Sequence, residues 1–184
     1  MKHNKSPGYD GLPSEFYVVF WNDISDFLLN SYNFSLQNGF MSASQRNGVI
    51  TLIPKKDKDV LLLKNYRPIS LLTVDYKILA KTLANRLKKS LLQLIHPDQS
   101  GFLKGRHIGN NIRLIIDVIE FTEFNDIPIL LLDIQKAFDS VNHSFMLKVL
   151  KRFNFGDKFI DWIGSLYFDR KSYVENFGYL TKTH

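Results

Sequence analysis

The feature that most constrains the fold of this chain is an apolar run at residues 127–132 that ends in a single acidic residue. Ile127 is followed by a proline and four aliphatic residues, and Asp133 comes next, before a more polar stretch. An apolar run of this length predicts a β-strand buried on both faces. A carboxylate held at the end of such a strand needs a partner, which could be a divalent cation or a hydrogen-bonded turn. This segment leaves both alternatives open.

Hydrophobic periodicity predicts mainly helices, with one β-hairpin, along the rest of the chain. Ser14 is expected to cap a helix that ends at Gly39, and a lysine-rich loop is expected to join two short strands. The predicted strands are 48–54 and 66–70, and the other predicted helices are 73–95, 110–124, 142–153 and 157–168. The tail from residue 171 is strand or loop.

Two of these helices carry further expectations. Leucines spaced along 73–95 form one stripe and lysines another, and a lysine face is either solvated or in contact with nucleic acid. In the helix at 110–124 the isoleucines are expected to face inward, and Gly156 is expected to end the helix that begins near residue 142. The inward-facing positions would be Ile112, Ile115, Ile116 and Ile119.

Composition and charge exclude several classes of protein. The 184 residues include 45% hydrophobic residues, enough for a packed core, and a net charge of +6, which favours nucleic acid as an anionic partner. There is no cysteine, so disulfides and thiolate zinc sites are excluded. No apolar run is long enough to cross a bilayer, and we expect an intracellular protein without membrane contact, nuclear or cytoplasmic.

Five segments, in a fixed order, resemble the motifs of a known family. Residues 131–143 read Leu-Leu-Asp-Ile-Gln-Lys-Ala-Phe-Asp-Ser-Val-Asn-His, which resembles the first metal-binding motif of reverse transcriptases from non-LTR (LINE-type) retrotransposons. Upstream segments resemble the same family's fingers motifs, and the resemblance covers nearly the whole chain. These upstream segments are 5–13, 50–59, 64–72 and 96–106.

The resemblance implies an α+β fold that forms part of a right-hand polymerase. Residues 1–104 would be an N-terminal extension and fingers, and residues 105–184 a partial palm. The family's later Asp-Asp hairpin has no counterpart here, since no two acidic residues are adjacent in the chain. We therefore expect this chain to need the remaining palm and the thumb of the same polyprotein, and to be inactive as a polymerase alone.

The resemblance also implies roles for individual residues. Asp133 would be the catalytic carboxylate that holds two Mg²⁺ ions, with the backbone carbonyl of Ile134 as a further ligand. Lys55 and Arg67 would bind the triphosphate of a deoxynucleoside triphosphate, and Phe138 would be the steric gate against ribose. Contacts to the RNA template and DNA primer would come from Lys56, Gln99, Lys104 and Arg106.

Simpler interpretations stand beside these roles. Phe138 could be a core phenylalanine, Lys56 competes with Lys55 for the triphosphate, and the stem of Arg67 could pack on the hairpin. Asp139 and Ser140 are expected to be helix N-caps rather than metal ligands.

The whole chain has two other interpretations. It could be a non-catalytic, nucleic-acid-binding remnant of a truncated element, or a polymerase of the group II intron or telomerase type.

Overall fold

The computed structural model describes residues 4–176 and 179–182, which form two compact units. The first unit contains residues 4–83, 150–176 and 179–182, and the second contains residues 84–149. Residues 1 and 184, the outer ends of the two predicted functional segments, lie outside the described residues. The predicted division of the chain at residue 104 stays a prediction.

A four-stranded sheet in the first unit confirms the predicted hairpin and assigns the tail to strands. The strands are β1 (Asn47–Pro54), β2 (Tyr66–Leu72), β3 (Lys171–Asn176) and β4 (Tyr179–Lys182), and their spatial order is β2-β1-β3-β4. The pairs β1/β2 and β3/β4 are antiparallel, whereas β1 and β3 are parallel, with Asn47 opposite Lys171. The central strand β1 is therefore paired on both sides, and its residues Val49–Leu52 are rich in the β-branched side chains that favour strands.

The parallel pair is anchored just before its two strands begin. The Arg46 guanidinium forms an ion pair with the Asp169 carboxylate, and it also lies 5.7 Å from the centroid of the Phe40 ring. Arg46 precedes β1 directly and Asp169 stands two residues before β3. Because 123 residues separate these two side chains in sequence, hydrophobic patterning alone did not predict their contact.

Three helices of the first unit enclose its hydrophobic core. They are α2 (Trp21–Asn38), the first part of α4 (Val74–Leu94) and α7 (Asp157–Tyr167). Their buried side chains are Tyr32, Leu79, Leu83 and Leu166, and Met41 joins them from the segment after α2. The Tyr32 hydroxyl also donates a hydrogen bond of 2.7 Å to the carbonyl of Asp75, which fixes α2 against the start of α4. The predicted leucine stripe is thus confirmed where it meets this core.

The first helix region differs from its prediction in two ways. The expected single helix is divided at Phe20 into α1 (Ser14–Val19) and α2, and Gly39 ends α2 in the left-handed region as predicted. Ser14 is not the N-cap. Pro13 occupies that position, and Ser14 is buried inside the first turn.

The short helix that leads into the sheet has a complete cap. In α3 (Ala43–Arg46) the Ser42 hydroxyl accepts a hydrogen bond from the Gln45 amide, while the Gln45 side chain accepts one from the Ser42 amide. The side-chain amide nitrogen of Gln45 also donates a hydrogen bond of 2.8 Å to the Asp75 carboxylate. These contacts join the beginning of β1 to the beginning of α4.

The second unit is helical and exposes much apolar surface. It contains α5 (Ile108–Asn125) and most of α6 (His143–Arg152), both close to their predicted bounds. The prediction of inward-facing isoleucines on α5 is wrong, because Ile112, Ile115, Ile116 and Ile119 are each at least 41% exposed. No described element covers that face, so the periodicity found an apolar stripe without a partner.

The end of α6 also differs from its prediction. This helix ends at Arg152, followed by Asn154 with φ of 60°, whereas Gly156 is the N-cap of α7. The left-handed turn at Asn154 therefore ends α6 before the glycine is reached, since asparagine tolerates this conformation better than most residues.

Among the helices of residues 4–176, none combines the length and apolarity that a bilayer-spanning segment needs.

Candidate functional site

The structure brings Lys55 and Arg67 to the same end of the β1–β2 hairpin. Ile53 lies opposite Arg67 in the register, and the Lys55 amide continues the ladder by donating a hydrogen bond of 2.8 Å to the carbonyl of Asn65. Side chains two residues apart on a strand share a face, and so do directly opposed residues. Lys55, Ile53 and Arg67 therefore share one face of the hairpin.

The loop that joins the two strands is held by its own hydrogen bonds. The carbonyl of Asp59 accepts from the Asn65 side chain at 2.8 Å, and the Tyr66 hydroxyl donates to the carbonyl of Val60 at 2.9 Å. The Lys55 ammonium donates to the carbonyl of Lys64 at 2.9 Å. A basic loop built this way keeps a defined conformation despite its like charges.

The two lysines and the arginine differ in what they contact. Lys55 is half-buried and hydrogen-bonded to the loop, while its neighbour Lys56 is exposed. Arg67 is exposed, and among the described residues its guanidinium makes no hydrogen bond or ion pair, so its five side-chain donors are available to solvent. An exposed guanidinium of this kind can bind an anionic group in a bidentate manner.

The predicted strand that should deliver Asp133 does not form. Residues 127–134 have no assigned secondary structure, and Leu131 and Leu132 are each 84% exposed. A strand requires a neighbouring strand for its backbone hydrogen bonds, and this segment pairs with none of the four strands of the described sheet. The prediction of a strand buried on both faces is therefore wrong for this structure, although the apolar run is real.

Asp133 itself is exposed rather than sealed inside a core. The turn after it is closed by the amides of Asp139 and Ser140, which donate to the carbonyl of Lys136 at 2.9 and 3.0 Å. Lys136 has φ of 52°, which gives the turn its sharp reversal. Asp133 thus lies just before a hydrogen-bonded turn. Its carboxylate is exposed and has no hydrogen-bonding partner among the described residues.

The donor set around Asp133 fits part of a magnesium site. A carboxylate and a backbone carbonyl, from Asp133 and Ile134, are the hard oxygen ligands that Mg²⁺ prefers. Within residues 4–176 and 179–182, however, no three acidic or histidine side chains come together as a metal-binding group. Asp133 would therefore contribute one carboxylate, and the described residues do not assemble the larger set that a metal pair needs.

Phe138 is exposed, so its interpretation as a core phenylalanine is wrong. Its side chain is 80% exposed and makes an edge-to-face contact with Phe102, with 5.6 Å between ring centroids. The contact joins the turn after Asp133 to the loop that follows α4. An aromatic ring presented in this way can contact a flat or cyclic ligand.

The N-cap of α6 is Asn142 rather than Asp139 or Ser140. The Asn142 side-chain oxygen accepts hydrogen bonds from the Phe145 amide at 3.1 Å and from the Ser144 hydroxyl at 2.7 Å. The predicted caps lie too early in the chain, because α6 begins at His143 and the cap position is the residue directly before it. Asp139 and Ser140 belong to the turn instead.

Arg106 has a structural position that the sequence did not reveal. Its guanidinium donates to the carbonyls of His96 and Gln99, both at 2.5 Å, and to the carbonyl of Ile95 at 3.0 Å. All three carbonyls lie in the segment just after α4, which ends at Leu94. Arg106 thus closes the loop after α4, while the side chains of Gln99 and Lys104 are exposed around it.

Four titratable side chains of the first unit are partly buried, and burial raises the pKa of each: Asp10, Tyr17, Tyr32 and Tyr76. Burial, together with the negative charge of Asp75, raises the pKa of the Asp10 carboxyl, and burial raises the pKa of Tyr17 to about 12. Burial also raises the pKa values of Tyr32 and Tyr76. These tyrosines remain neutral hydrogen-bond donors at physiological pH, which suits a structural role.

Most of this chain is similar in sequence to known proteins. Residues 53–183 match the family model described as reverse transcriptase (RNA-dependent DNA polymerase). Over 169 residues the chain is 41% identical to the transposon TX1 uncharacterized 149 kDa protein of Xenopus laevis, covering 91% of this chain and 13% of that protein.

Two Drosophila melanogaster proteins are more distant relatives. The RNA-directed DNA polymerase from mobile element jockey is 29% identical over 152 residues, covering 80% of this chain and 17% of that protein. The Pol polyprotein from the type-2 element R2DM is 29% identical over 167 residues, covering 89% of this chain and 15% of that protein. The chain therefore spans less than one fifth of the length of these relatives.

Proposed function

The chain belongs to the reverse transcriptase family of non-LTR retrotransposons, and we propose on that premise that it takes part in RNA-templated DNA synthesis. Its substrates would be deoxynucleoside triphosphates, with an RNA template and a DNA primer as partners. The observation that carries this proposal is the shared face of Lys55 and Arg67 at the end of the hairpin.

Lys55 and Arg67 would bind the triphosphate. A bound triphosphate carries several negative charges, and an exposed guanidinium beside an ammonium supplies both bidentate donation and a compact point charge. The hydrogen bond from Lys55 to the carbonyl of Lys64 holds its ammonium near the base of the loop. Lys56, exposed on the adjacent position, would then contact nucleic acid instead.

Asp133 would hold divalent metal, with the carbonyl of Ile134 as a neighbouring ligand. A pair of Mg²⁺ ions would stabilise the attacking and leaving oxygens of nucleotidyl transfer. The exposure of Asp133 leaves it accessible to a hydrated cation. Because no three metal-binding side chains converge within the described residues, the 184-residue chain would not support this chemistry alone.

Phe138 would select the sugar, and the remaining residues would contact template and primer. The exposed ring of Phe138 could meet the 2′ position of a ribose and exclude it by steric contact. Gln99 and Lys104 are exposed beside the loop that Arg106 closes, so Arg106 would act on nucleic acid mainly by fixing that loop.

The fold proposal goes further than the α+β architecture of the described residues. Residues 1–104 would form the N-terminal extension and fingers of a right-hand polymerase, and residues 105–184 the first part of its palm. The thumb and the other palm strands would come from the same polyprotein. Those strands would provide the pairing partners that residues 127–134 lack here.

The experiment is primer extension by the longer retrotransposon protein with Mg²⁺, comparing Asp133→Asn with the exposed control Asp117→Asn. Loss of a metal ligand should reduce kcat by more than the roughly 10–100-fold that loss of an outer-shell group costs. Arg67→Ala should mainly raise KM, and Phe138→Ala should admit ribonucleotides. Full activity of the Asp133→Asn protein would refute the assignment.

A second candidate function is nucleic-acid binding without catalysis. The net charge of +6 supports it, because phosphate attraction needs only basic residues. The same assay separates the two functions, since a binding protein would retain template RNA but incorporate no nucleotide. Template-dependent incorporation by the 184-residue chain itself would contradict both this candidate and the proposed inactivity of the chain alone.

A further inference from the structure

A cavity of about 410 Å³ opens within the first unit, between the N-terminal segment and the beginning of α4. This volume lies within the range of sites that hold small organic groups. Its inner wall is mainly apolar, and three lysines stand at its edge. The wall residues are Leu72, Val74, Tyr76 and Ala80, and the lysines are Lys5, Lys77 and Lys81.

The aromatic wall of the cavity is held in place from behind. The Tyr76 hydroxyl donates to the carbonyl of Leu166 at 3.4 Å, and the Arg170 guanidinium lies 4.1 Å from the centroid of the Tyr76 ring. A ring fixed at its hydroxyl and covered by a cation loses little freedom when a ligand packs against it. The wall is therefore preorganised.

The N-terminal segment is a fixed wall as well. A Cβ atom added to Gly8 would meet backbone atoms of Leu72 and Thr73 at 2.5–2.7 Å, so only glycine allows this close approach. The amide of Asn4 donates to the Glu15 carboxylate at 2.6 Å, and the rings of Tyr9 and Tyr173 stack with 6.2 Å between centroids. These contacts hold Lys5 at the cavity edge.

The lysines give the cavity edge its positive charge. Lys77 and Lys81 are four residues apart on α4 and so lie on the same side of the helix. Among the described residues, none of the three lysines forms an ion pair. Of the nearby acidic groups, Asp75 accepts from the Gln45 side chain and Asp10 accepts from the Leu12 amide, and Lys77 is close enough to Asp10 for their charges to interact.

We infer that this cavity binds one nucleotide of single-stranded nucleic acid, with its base against Tyr76 and its flanking phosphates at Lys77, Lys81 and Lys5. Base–aromatic stacking and lysine–phosphate contact are the two interactions by which proteins bind single strands without sequence preference. An acidic peptide would match the lysines but would leave the apolar interior unfilled. The inference rests on the proposed function and adds a separate contact for the strand.

The test measures binding of a labelled single-stranded oligonucleotide to the 184-residue chain, beside a stable abasic oligonucleotide of equal length. The intact strand should bind more tightly than the abasic strand, by about 5-fold or more, since stacking of one base contributes on the order of 1–3 kcal/mol. In the double variant Lys77→Gln/Lys81→Gln this preference should disappear. The slope of log K against log salt should also become shallower by about 1.4, which corresponds to two lost phosphate contacts.

The matched control is Lys88→Gln/Lys89→Gln, which removes the same charge from exposed positions of the same helix. This control should keep the preference for the intact strand. A second variant, Ala80→Leu, fills the cavity without changing charge and should also abolish the preference, with a thermal melt to verify folding.

Equal binding of intact and abasic strands by the unaltered chain would overturn the inference, as would complete competition by oligoglutamate together with an unchanged Ala80→Leu variant. Either result would leave primer extension by the longer protein unaffected. Failure of this inference is thus distinguishable from failure of the proposed function.

Discussion

The β1–β2 hairpin and the segment 127–134 show how differently two apolar stretches behave in one chain. Both are rich in aliphatic residues, yet β1 is paired with strands on both sides while residues 127–134 pair with no described strand. Val49 in β1 is 7% exposed, whereas Leu131 is 84% exposed. The contrast shows that an apolar run becomes a strand only where the fold supplies neighbours for its backbone.

The same comparison distinguishes the residues proposed to bind the triphosphate from the residue proposed to bind metal. The hairpin positions Lys55 and Arg67 through contacts made between residues close in sequence. Asp133 follows a segment whose partners are absent from the described sheet, and only the turn after it is fixed by hydrogen bonds. The side chains proposed to bind phosphate therefore stand on a hydrogen-bonded hairpin, whereas the proposed metal ligand follows a segment without regular secondary structure.

Hydrogen exchange should show the largest difference between the two regions. Amides of the central strand β1 should exchange at least about 10³-fold more slowly than those of residues 130–132, because β1 opens only with much of the unit. Mass spectrometry of the 184-residue chain measures both regions in one sample. Equal protection would show that residues 127–134 find a pairing partner in solution.

A buried charge should affect the hairpin strongly and the exposed segment weakly. Val49→Asp should cost about 4 kcal/mol or more of unfolding free energy, since it places an unpaired carboxylate in a core. Leu131→Asp should change it by no more than about 0.5 kcal/mol. Urea denaturation compares the two variants, and a large loss for Leu131→Asp would mean that this side chain is buried in solution.

Loss of the Arg106 contacts should have an intermediate, local effect. Arg106→Ala removes the donor from the carbonyls of Ile95 and Gln99, whereas the carbonyl of His96 keeps its hydrogen bond from the Gln99 amide. The change should destabilise the loop after α4 by about 1–2 kcal/mol. The exposed Arg113→Ala serves as control for the loss of a positive charge. Exchange rates of amides 91–106 report the change, and identical rates in both variants would argue that Arg106 is free for another role.

The smallest effect concerns the pH dependence of stability. The pKa of Asp10 is raised above its ordinary value of 3.8 by burial, so the folded state binds this proton more tightly than the unfolded state. The stability it contributes is present below pH 3.8 and is lost as the pH rises through the folded pKa. Asp10→Asn should make the free energy of unfolding depend less on pH, while the side-chain oxygen still accepts the hydrogen bond from the Leu12 amide. Thermal melts of both proteins at several pH values measure this difference.

Some features of the fold follow directly from local patterns. The helix at 74–94 and the β1–β2 hairpin were predictable because leucine spacing, β-branched residues and the intervening polar loop all act over short sequence distances. The observed register, with Ile53 opposite Arg67, places Lys55 and Arg67 on one face of the hairpin. The helix caps were less predictable, since Pro13, Asn142 and Gly156 take roles that depend on where each helix begins in space.

Other features required distant parts of the chain to meet. The parallel pairing of β1 with β3 and the Arg46–Asp169 ion pair join residues more than 120 positions apart. The N-terminal segment that lines the cavity approaches the end of β2 closely, because Gly8 permits backbone to approach backbone at Leu72 and Thr73. In the sequence, Gly8 was only one residue of a motif, and Lys77 and Lys81 only part of a lysine face.

The sequence by itself determined the family, the candidate residues and the positions of most helices and strands, because motifs and hydrophobic spacing are local properties. The tertiary structure decided which apolar segments are covered and which polar groups are satisfied. Burial and pairing depend on neighbours that chain order does not specify. Arg106 illustrates this, since only the folded loop shows that its guanidinium is occupied by carbonyl oxygens.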